Sequence, residues 1–244
     1  MLDLWADPLG DDVLLEVGFR PAEDFIHKGI AEQPAIRTLS GRTNRVLLGI
    51  PQTTSLLERW PAKELFAPEV AALQDEWDFL MVRLACSFLP DRGCTFTWTR
   101  IAIELGVQDE GPARPGAVVA FDLFPQEVGE TRKFKRSFSI TPKLKFAFAE
   151  ASASIETDQD TIRYDPQLFA AGLLTDTPVW TFSASKRPGV IGSKELFIVL
   201  KKCRGSTVQA RFLVGAEVHT AFGPVPLRRY GDESLLDRAY ILTP

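Results

Sequence analysis

The stretch KELFIVLKKCRGSTVQARFLVGAEVH, residues 194–219, carries a clear β signal. In its second half the side chains alternate between apolar and polar, which is typical of a strand with one buried face. The apolar set is Val208, Ala210, Phe212, Val214, Ala216 and Val218, and the polar set is Gln209, Arg211, Glu217 and His219. Lys194 to Lys202 predicts a second strand, and the connection from Cys203 to Ser206 predicts a hairpin turn between the two.

A longer alternating stretch, KFKRSFSITPKLKFAFAEASASIE, covers residues 133–156. Its apolar and polar positions exchange parity between Phe146 and Ala149, which indicates a β-bulge or a passage from one environment to another. Pro142 lacks the N–H that a ladder hydrogen bond needs, so we expect an edge position, a bulge or a break there. The stretch therefore predicts two strands, the first of them basic.

Other segments support a β fold. Thr95 to Leu105 and Ala117 to Phe124 predict strands, the second buried on both faces because it is apolar throughout. We expect Trp98 and Trp180 to be core residues of a sandwich. One segment differs: Pro68 to Met81 predicts a helix, because apolar residues recur there at spacings of three and four, with Trp77 packed into the core.

Many strands with glycine- and proline-rich turns and few helices favour a mainly β fold. The predicted architecture is an antiparallel β-sandwich or a partly closed sheet with one or two peripheral helices, the second of them near residues 22–31. We expect a single globular domain over residues 1–244. The alternative is a subdivision near residues 106–116, where glycine and proline cluster.

Composition limits the functional classes. The chain has 244 residues, of which 45% are hydrophobic and 25% charged, as in ordinary globular proteins. Acids occupy the N-terminal positions where a secretory signal would carry Lys or Arg. The odd set of Cys86, Cys94 and Cys203 fits reduced, mostly buried thiols better than disulfides, so we expect a cytoplasmic protein.

Sequence motifs for chemistry are weak. Ser183-Ala184-Ser185-Lys186 matches a Ser-x-x-Lys pattern but runs into an Arg-Pro-Gly turn instead of opening a helix. The residues around Asp158 and Asp160 lack the glycine and glutamate of a calcium loop, and Gly189 and Gly192 are expected to be turn positions ahead of a strand. With His27 and His219 as its two histidines, the chain gives no reason to expect a metal, a cofactor or a defined catalytic set.

Charge is distributed unevenly along the chain. Residues 1–24 contain seven acids against the single Arg20, whereas residues 131–145 contain six bases and no acid. The six are Arg132, Lys133, Lys135, Arg136, Lys143 and Lys145. A solvated face with strand-edge lysines would explain this cluster, and so would a docking surface for an acidic partner. The formal net charge of −4 argues against whole-surface attraction to nucleic acid.

We therefore predict a non-catalytic interaction or assembly module that binds an acidic protein surface through these six basic residues. The first alternative is a membrane-active protein in which the alternating stretch inserts as a β-hairpin of an oligomeric pore. Against it, the alanines at 147, 149, 151 and 153 would make a poorly lipophilic face. The second alternative is a hydrolase whose catalytic residues the sequence does not reveal.

Overall fold

The computed structural model describes residues 13–21, 44–56, 73, 75–108, 116–128, 167–184, 189–220, 223–225, 227–230 and 238–243. Every element in these ranges is a β-strand. The strands are β1 (Val13–Pro21), β2 (Asn44–Gly49), β3 (Gln52–Ser55), β4 (Trp77–Leu89), β5 (Cys94–Val107), β6 (Val118–Phe124), β7 (Glu127–Val128), β8 (Gln167–Ala171), β9 (Val179–Ser183), β10 (Gly192–Cys203), β11 (Val208–Thr220), β12 (Gly223–Val225), β13 (Leu227–Tyr230) and β14 (Ala239–Leu242).

The strands form two seven-stranded antiparallel sheets. The first sheet has the order β13-β1-β2-β4-β10-β6, and β3 adds to β4 alongside β2. The second has the order β12-β11-β5-β9-β8-β7, and β14 adds to β11 alongside β12. The prediction of an antiparallel β-sandwich is therefore confirmed.

The core lies between the two sheets. Phe88 of β4 packs edge-on against Phe182 of β9, with ring centroids 4.8 Å apart, and against Phe96 of β5 at 6.5 Å. Phe19 of β1 reaches the same Phe96 ring at 6.2 Å. All four rings are buried, and each is worth about 1.5–3 kcal/mol relative to exposure. These aromatic contacts join the first sheet to the second.

Short connections carry the chain from one sheet to the other at several points, among them residues 125–126 between β6 and β7. Pro90 to Gly93 carries it from β4 to β5, and residues 204–207 carry it from β10 to β11. The predicted hairpin at Cys203–Ser206 is therefore wrong, because β10 pairs with β4 and β6 while β11 pairs with β5. The alternation of β11 itself is confirmed, since its even-numbered residues from 208 to 214 and Val218 are buried.

The predicted helix over Pro68–Met81 is wrong in its last part, because β4 begins at Trp77. Phe79, Leu80, Met81 and Val82 are all buried, so this segment is a strand covered on both faces. A continuous apolar run also contains apolar residues at the spacings of three and four that are typical of a helix, which explains the wrong prediction. Trp77 is not a core residue: it is half-buried on the outer side of the sheet, with the Lys201 ammonium 4.2 Å from its ring centroid.

The outer side of the first sheet is partly closed. Phe79, Met81, Phe121 and Val199 point away from the space between the sheets, yet they are buried, and the rings of Phe79 and Phe121 lie 5.3 Å apart. The prediction that Ala117–Phe124 is buried on both faces is confirmed by β6. The part of the outer face that these four residues form is therefore shielded from solvent.

Gly189 and Gly192 have φ angles of +80° and +81°, the positive values expected of turn glycines. Gly189 lies ahead of β10, and Gly192 is the first residue of that strand. Residues 22–31, 133–156 and 158–161 lie outside the described residues. The predicted single domain and its alternative division near 106–116 stay predictions. Within the described ranges, no helix is long and apolar enough to cross a membrane.

Candidate functional site

The six basic residues predicted as a partner-binding surface lie outside the described residues. These are Arg132, Lys133, Lys135, Arg136, Lys143 and Lys145. Their role in binding therefore stays a prediction, and the site must be sought on the surfaces that the described strands present.

A bulge in β5 decides which side chains reach the outer face of the second sheet. Glu217 of β11 pairs with Trp98 and the next residue, Val218, pairs with Phe96, so Thr97 is an extra residue. Such a bulge shifts the alternation by one position. Phe96 faces the core before the bulge, Thr99 and Ile101 face it afterwards, and Trp98 faces outward.

The expectation that Trp98 is a core residue is therefore wrong, and its indole is half-buried on the outer face. The expectation for Trp180 is confirmed. Trp180 is fully buried, and its Nε1 donates to the Pro125 carbonyl at 3.1 Å.

Strand register places the outward side chains in rows across the second sheet. One row runs from Phe169 of β8 through Thr181 of β9 and Arg100 of β5 to Gly215 of β11. A neighbouring row contains Ser183 beside Trp98. Because directly paired residues share a face, these side chains lie on one surface.

The result is a shallow trough along β9, which we call the β9 groove. Its floor consists of the short side chains of Val179, Thr181 and Ser183. Trp98 and Arg100 of β5 form one wall, and Phe169 of β8 forms the other. Phe169 is 45% exposed, and Arg100 is also exposed. A partner therefore meets an aromatic ring on each side and a guanidinium on one.

Arg100 differs electrostatically from its neighbours on this face. Arg211 donates from Nε to Glu104 Oε2 at 2.8 Å, directly across the strand pair, and His219 bonds to Glu217 at 2.9 Å. Among the described residues the Arg100 side chain has neither an ion pair nor a hydrogen bond, and it is exposed. A guanidinium can hold a carboxylate through two hydrogen bonds.

The described cations on the outer face of the first sheet have partners within that sheet. Arg83 pairs with Glu195 at 2.6 Å and Arg45 with Glu16 at 3.6 Å, so these arginines are paired within the sheet. The hydroxyls of Ser87 and Ser193 bond to each other at 2.7 Å. The Lys201 ammonium lies over the Trp77 ring. These cations therefore have partners in their own sheet, whereas Arg100 on the second sheet has no ion pair among the described residues.

The two described groups with clearly shifted pKa values, Asp78 and Cys86, lie away from the β9 groove. Burial opposes ionisation of Asp78, but the Gly205 N–H and the Lys202 ammonium outweigh it and hold the pKa of this carboxyl below its ordinary value. Burial raises the pKa of the Cys86 thiol to about 12, against a smaller opposing effect of Lys194. Both groups belong to the packing of the sandwich.

Chemical groups for catalysis or metal binding are sparse in the part of the chain that the structure describes. No group of three or more His, Cys, Asp or Glu side chains is placed there to hold a metal ion. Ser183, from the Ser-x-x-Lys match, ends a strand on the floor of the β9 groove, and Lys186 lies outside the described residues. The arrangement is suited to contact, through two aromatic rings and an exposed arginine that has no ion pair among the described residues.

Sequence reasoning missed Trp98, Arg100 and Phe169. The signal for Trp98 and Arg100 was present: if Ile101, Ile103 and Leu105 face the core, the residues of opposite parity must face outward. Phe169 had no such signal, because its strand is short and its neighbours in the sheet come from distant parts of the chain.

No family model matches this sequence, and no curated protein matches it. A solved structure with some similarity is the C-terminal domain of the antigen I/II-family protein AspA of Streptococcus pyogenes. It is 14% identical, and the alignment covers 62% of this chain and 38% of that chain, with a TM-score of 0.25. This chain thus spans less than half of its length, and a likeness at this level carries no argument about function.

Proposed function

We propose that the protein is a non-catalytic interaction module that binds an acidic surface of a protein partner through the outer face of its second sheet. The observation that carries this proposal is the exposed Arg100 beside Trp98, without an ion pair among the described residues. Arg and Trp are the residue types most enriched in binding hot spots. An aromatic ring supplies buried area at low entropic cost, and a guanidinium supplies charge and directional hydrogen bonds.

The basic segment Arg132 to Lys145 is kept in this proposal as a second contact for the same acidic partner. Its six charges support attraction at long range and faster association, even in a chain of formal net charge −4. A cytoplasmic location is also proposed, with support from the thiols of Cys86, Cys94 and Cys203, which form no disulfide among the described residues.

Co-purification followed by mass spectrometry tests the proposal. The baits are the wild type, Arg100→Glu, and a variant with Arg132, Lys133, Lys135 and Arg136 all changed to glutamate. Arg92→Glu is the matched control, because Arg92 is an exposed arginine in the β4–β5 connection, at the end of the sandwich.

We expect at least one partner that the wild type and Arg92→Glu retain and that Arg100→Glu loses. The four-residue variant should capture less of the same partner, most clearly at low salt. An identical set of partners for wild type and Arg100→Glu would contradict the proposal for this face. Thermal melts of each bait show whether a loss of capture reflects unfolding.

A further inference from the structure

An exposed apolar strip runs along β8 and into the loop that follows it. Phe169 and Leu173 are each 45% exposed, Leu174 is 62% exposed, and Ala171 is exposed between them. We call these four residues the apolar strip. Its first residue, Phe169, is also a wall of the β9 groove, and Ala171 lies directly opposite Val179 of the groove floor. Contiguous exposed apolar side chains of this kind mark contact sites more often than scattered ones do.

The loop holds its two leucines in a fixed position. Leu174 donates its N–H to the Ala120 carbonyl at 2.8 Å, and Ala120 donates in return to the Thr175 carbonyl at 2.8 Å. The Thr175 hydroxyl bonds to the Gly172 carbonyl at 2.8 Å, and the Leu105 N–H bonds to the Asp176 carbonyl at 2.8 Å. The loop is therefore fastened to both sheets, and a partner would not have to order it.

Leu174 is an unexpected residue for its backbone conformation. Its φ is +62°, in the left-handed region that glycine and asparagine adopt at little cost and that other residues rarely adopt. Folding alone would favour glycine or asparagine there, and it gains little from a leucine that is 62% exposed. Strained residues that the surrounding structure holds in place cluster at functional sites. A partner that covers Leu174 would explain why a leucine occupies this position.

The spacing between Phe169 and Arg100 limits which ligands fit the β9 groove. Phe169 and Arg100 lie in the same row with only β9 between them, so they are about 10 Å apart at the usual strand spacing. The short side chains of β9 leave room between them. A peptide segment laid along β9 can place apolar side chains on the apolar strip and a carboxylate on Arg100.

Acidic residues beside the strip argue against other occupants. Glu127 of β7 lies directly opposite Phe169 and is exposed, and Asp176 lies in the loop next to the leucines. These carboxylates would repel anionic lipid headgroups and the phosphates of nucleic acid. They would also repel an acid of a bound peptide at the apolar strip, so the acid of the segment is confined to the Arg100 side of the β9 groove. A segment with acids alone would also gain nothing from the apolar strip.

We infer that the β9 groove and the apolar strip together bind an acidic peptide segment of a protein partner, with apolar side chains on Phe169, Leu173 and Leu174 and a carboxylate on Arg100. This inference rests on the proposed function and deepens it, because it names the chemistry of the segment that the module recognises.

Selection from a random 12-residue peptide library on the immobilised full chain tests it. We expect enriched peptides that combine Asp or Glu with Leu, Ile or Phe. Their affinities are then measured by fluorescence anisotropy for wild type, Arg100→Glu, Phe169→Ser, Leu174→Asn and Ile50→Ser. Leu174→Asn keeps a residue that accepts the left-handed conformation, and Ile50→Ser changes another residue, 49% exposed, in the first sheet's β2–β3 connection.

The first three variants should each weaken binding about tenfold or more, and Ile50→Ser should leave it unchanged. If Arg100→Glu abolishes binding while Phe169→Ser and Leu174→Asn do not affect it, the inference fails and the proposed function stands. If none of the variants changes the affinity, or if no peptide is enriched, the inference fails. An affinity that Arg100→Glu leaves unchanged also counts against the proposed function. Leu174-dependent binding to phosphatidylserine vesicles, or a dimer that Leu174→Asn dissociates, would also overturn the inference.

Discussion

Asp78 and Lys202 stand directly opposite each other on β4 and β10, with Asp78 Oδ2 and Lys202 Nζ 3.0 Å apart. The same carboxylate oxygen accepts the Gly205 N–H at 3.0 Å, and Lys202 also donates to the Ser206 carbonyl at 2.8 Å. This pair therefore fastens the connection that takes the chain from the first sheet to the second. It fixes the start of β11, whose register with β5 positions the candidate surface.

The Asp78 pair predicts a pH-dependent stability. The pKa of this carboxyl is lowered from its ordinary 3.8, so its ion pair stabilises the fold above about pH 4 and is lost as the pH falls through the lowered value. Asp78→Asn should cost about 1 kcal/mol at pH 7, since the pair is partly solvated. Urea titrations between pH 7 and pH 3 should show this difference shrinking toward the acid end. A difference that grows with acidity would contradict the sign.

Thr99 predicts a stabilising substitution. Its side chain is fully buried, and its hydroxyl has no hydrogen-bond partner among the described residues. Thr99→Val keeps the shape and removes the unpaired hydroxyl, which should raise the free energy of unfolding by about 1 kcal/mol. Thermal melting measures the change. Thr181→Val, on the half-buried floor of the β9 groove, is the control and should have little effect on stability.

The three thiols should differ in reactivity. Burial raises the pKa of Cys86 to about 12 and shields it, and Cys94 is also buried, whereas Cys203 is partly exposed at the end of β10. A thiol reagent such as Ellman's reagent should therefore label Cys203 first in the native protein. All three should react in denaturant. Rapid labelling of Cys86 under native conditions would show that β4 is not packed as described.

Gly189 predicts a strongly destabilising substitution. A Cβ at this position would lie 2.1 Å from Thr95 Cγ2 and 2.7 Å from the Phe96 carbonyl oxygen. Gly189→Ala should thus cost several kcal/mol, because the carbonyl belongs to β5 and cannot move freely. Gly192→Ala is the matched control: its φ is also positive, but nothing lies within 4 Å, so about 1 kcal/mol is expected. Equal effects on chemical denaturation would argue against this contact.

Local alternation predicted the strand type and the buried parity of β11, and the apolar run predicted that β6 is buried on both faces. The sheet to which each strand belongs was not predictable in the same way. The Cys203–Ser206 connection has the length of a hairpin turn, and only long-range pairing with β5 shows that it joins two sheets. The helical interpretation of Trp77–Met81 failed because a doubly buried strand carries no period of its own.

The candidate surface was less predictable than the fold. The predicted basic residues lie outside the described part of the chain. That Arg100 has no ion pair among the described residues becomes apparent only when the ion pairs of its neighbours are known. Phe96 and Trp98 have the same parity, and the bulge at Thr97, which the sequence does not reveal, places Phe96 in the core while Trp98 keeps the outward parity set by Ile101 to Leu105. Phe169 and Arg100 are far apart in the chain and meet in one row through β9. A single sequence does not show which residues of distant strands lie side by side in a sheet.

Amide hydrogen exchange of the complex with a captured partner would locate the binding face along the chain. Binding at the outer face of the second sheet should slow exchange in residues 98–102, 168–175 and 179–183. Exchange in β2 and in the C-terminal half of β4, near Ser87, should not change. Loss of this protection in Arg100→Glu should accompany loss of capture. Protection confined to the first sheet, with residues 98–102 and 179–183 unaffected, would contradict binding at the outer face of the second sheet.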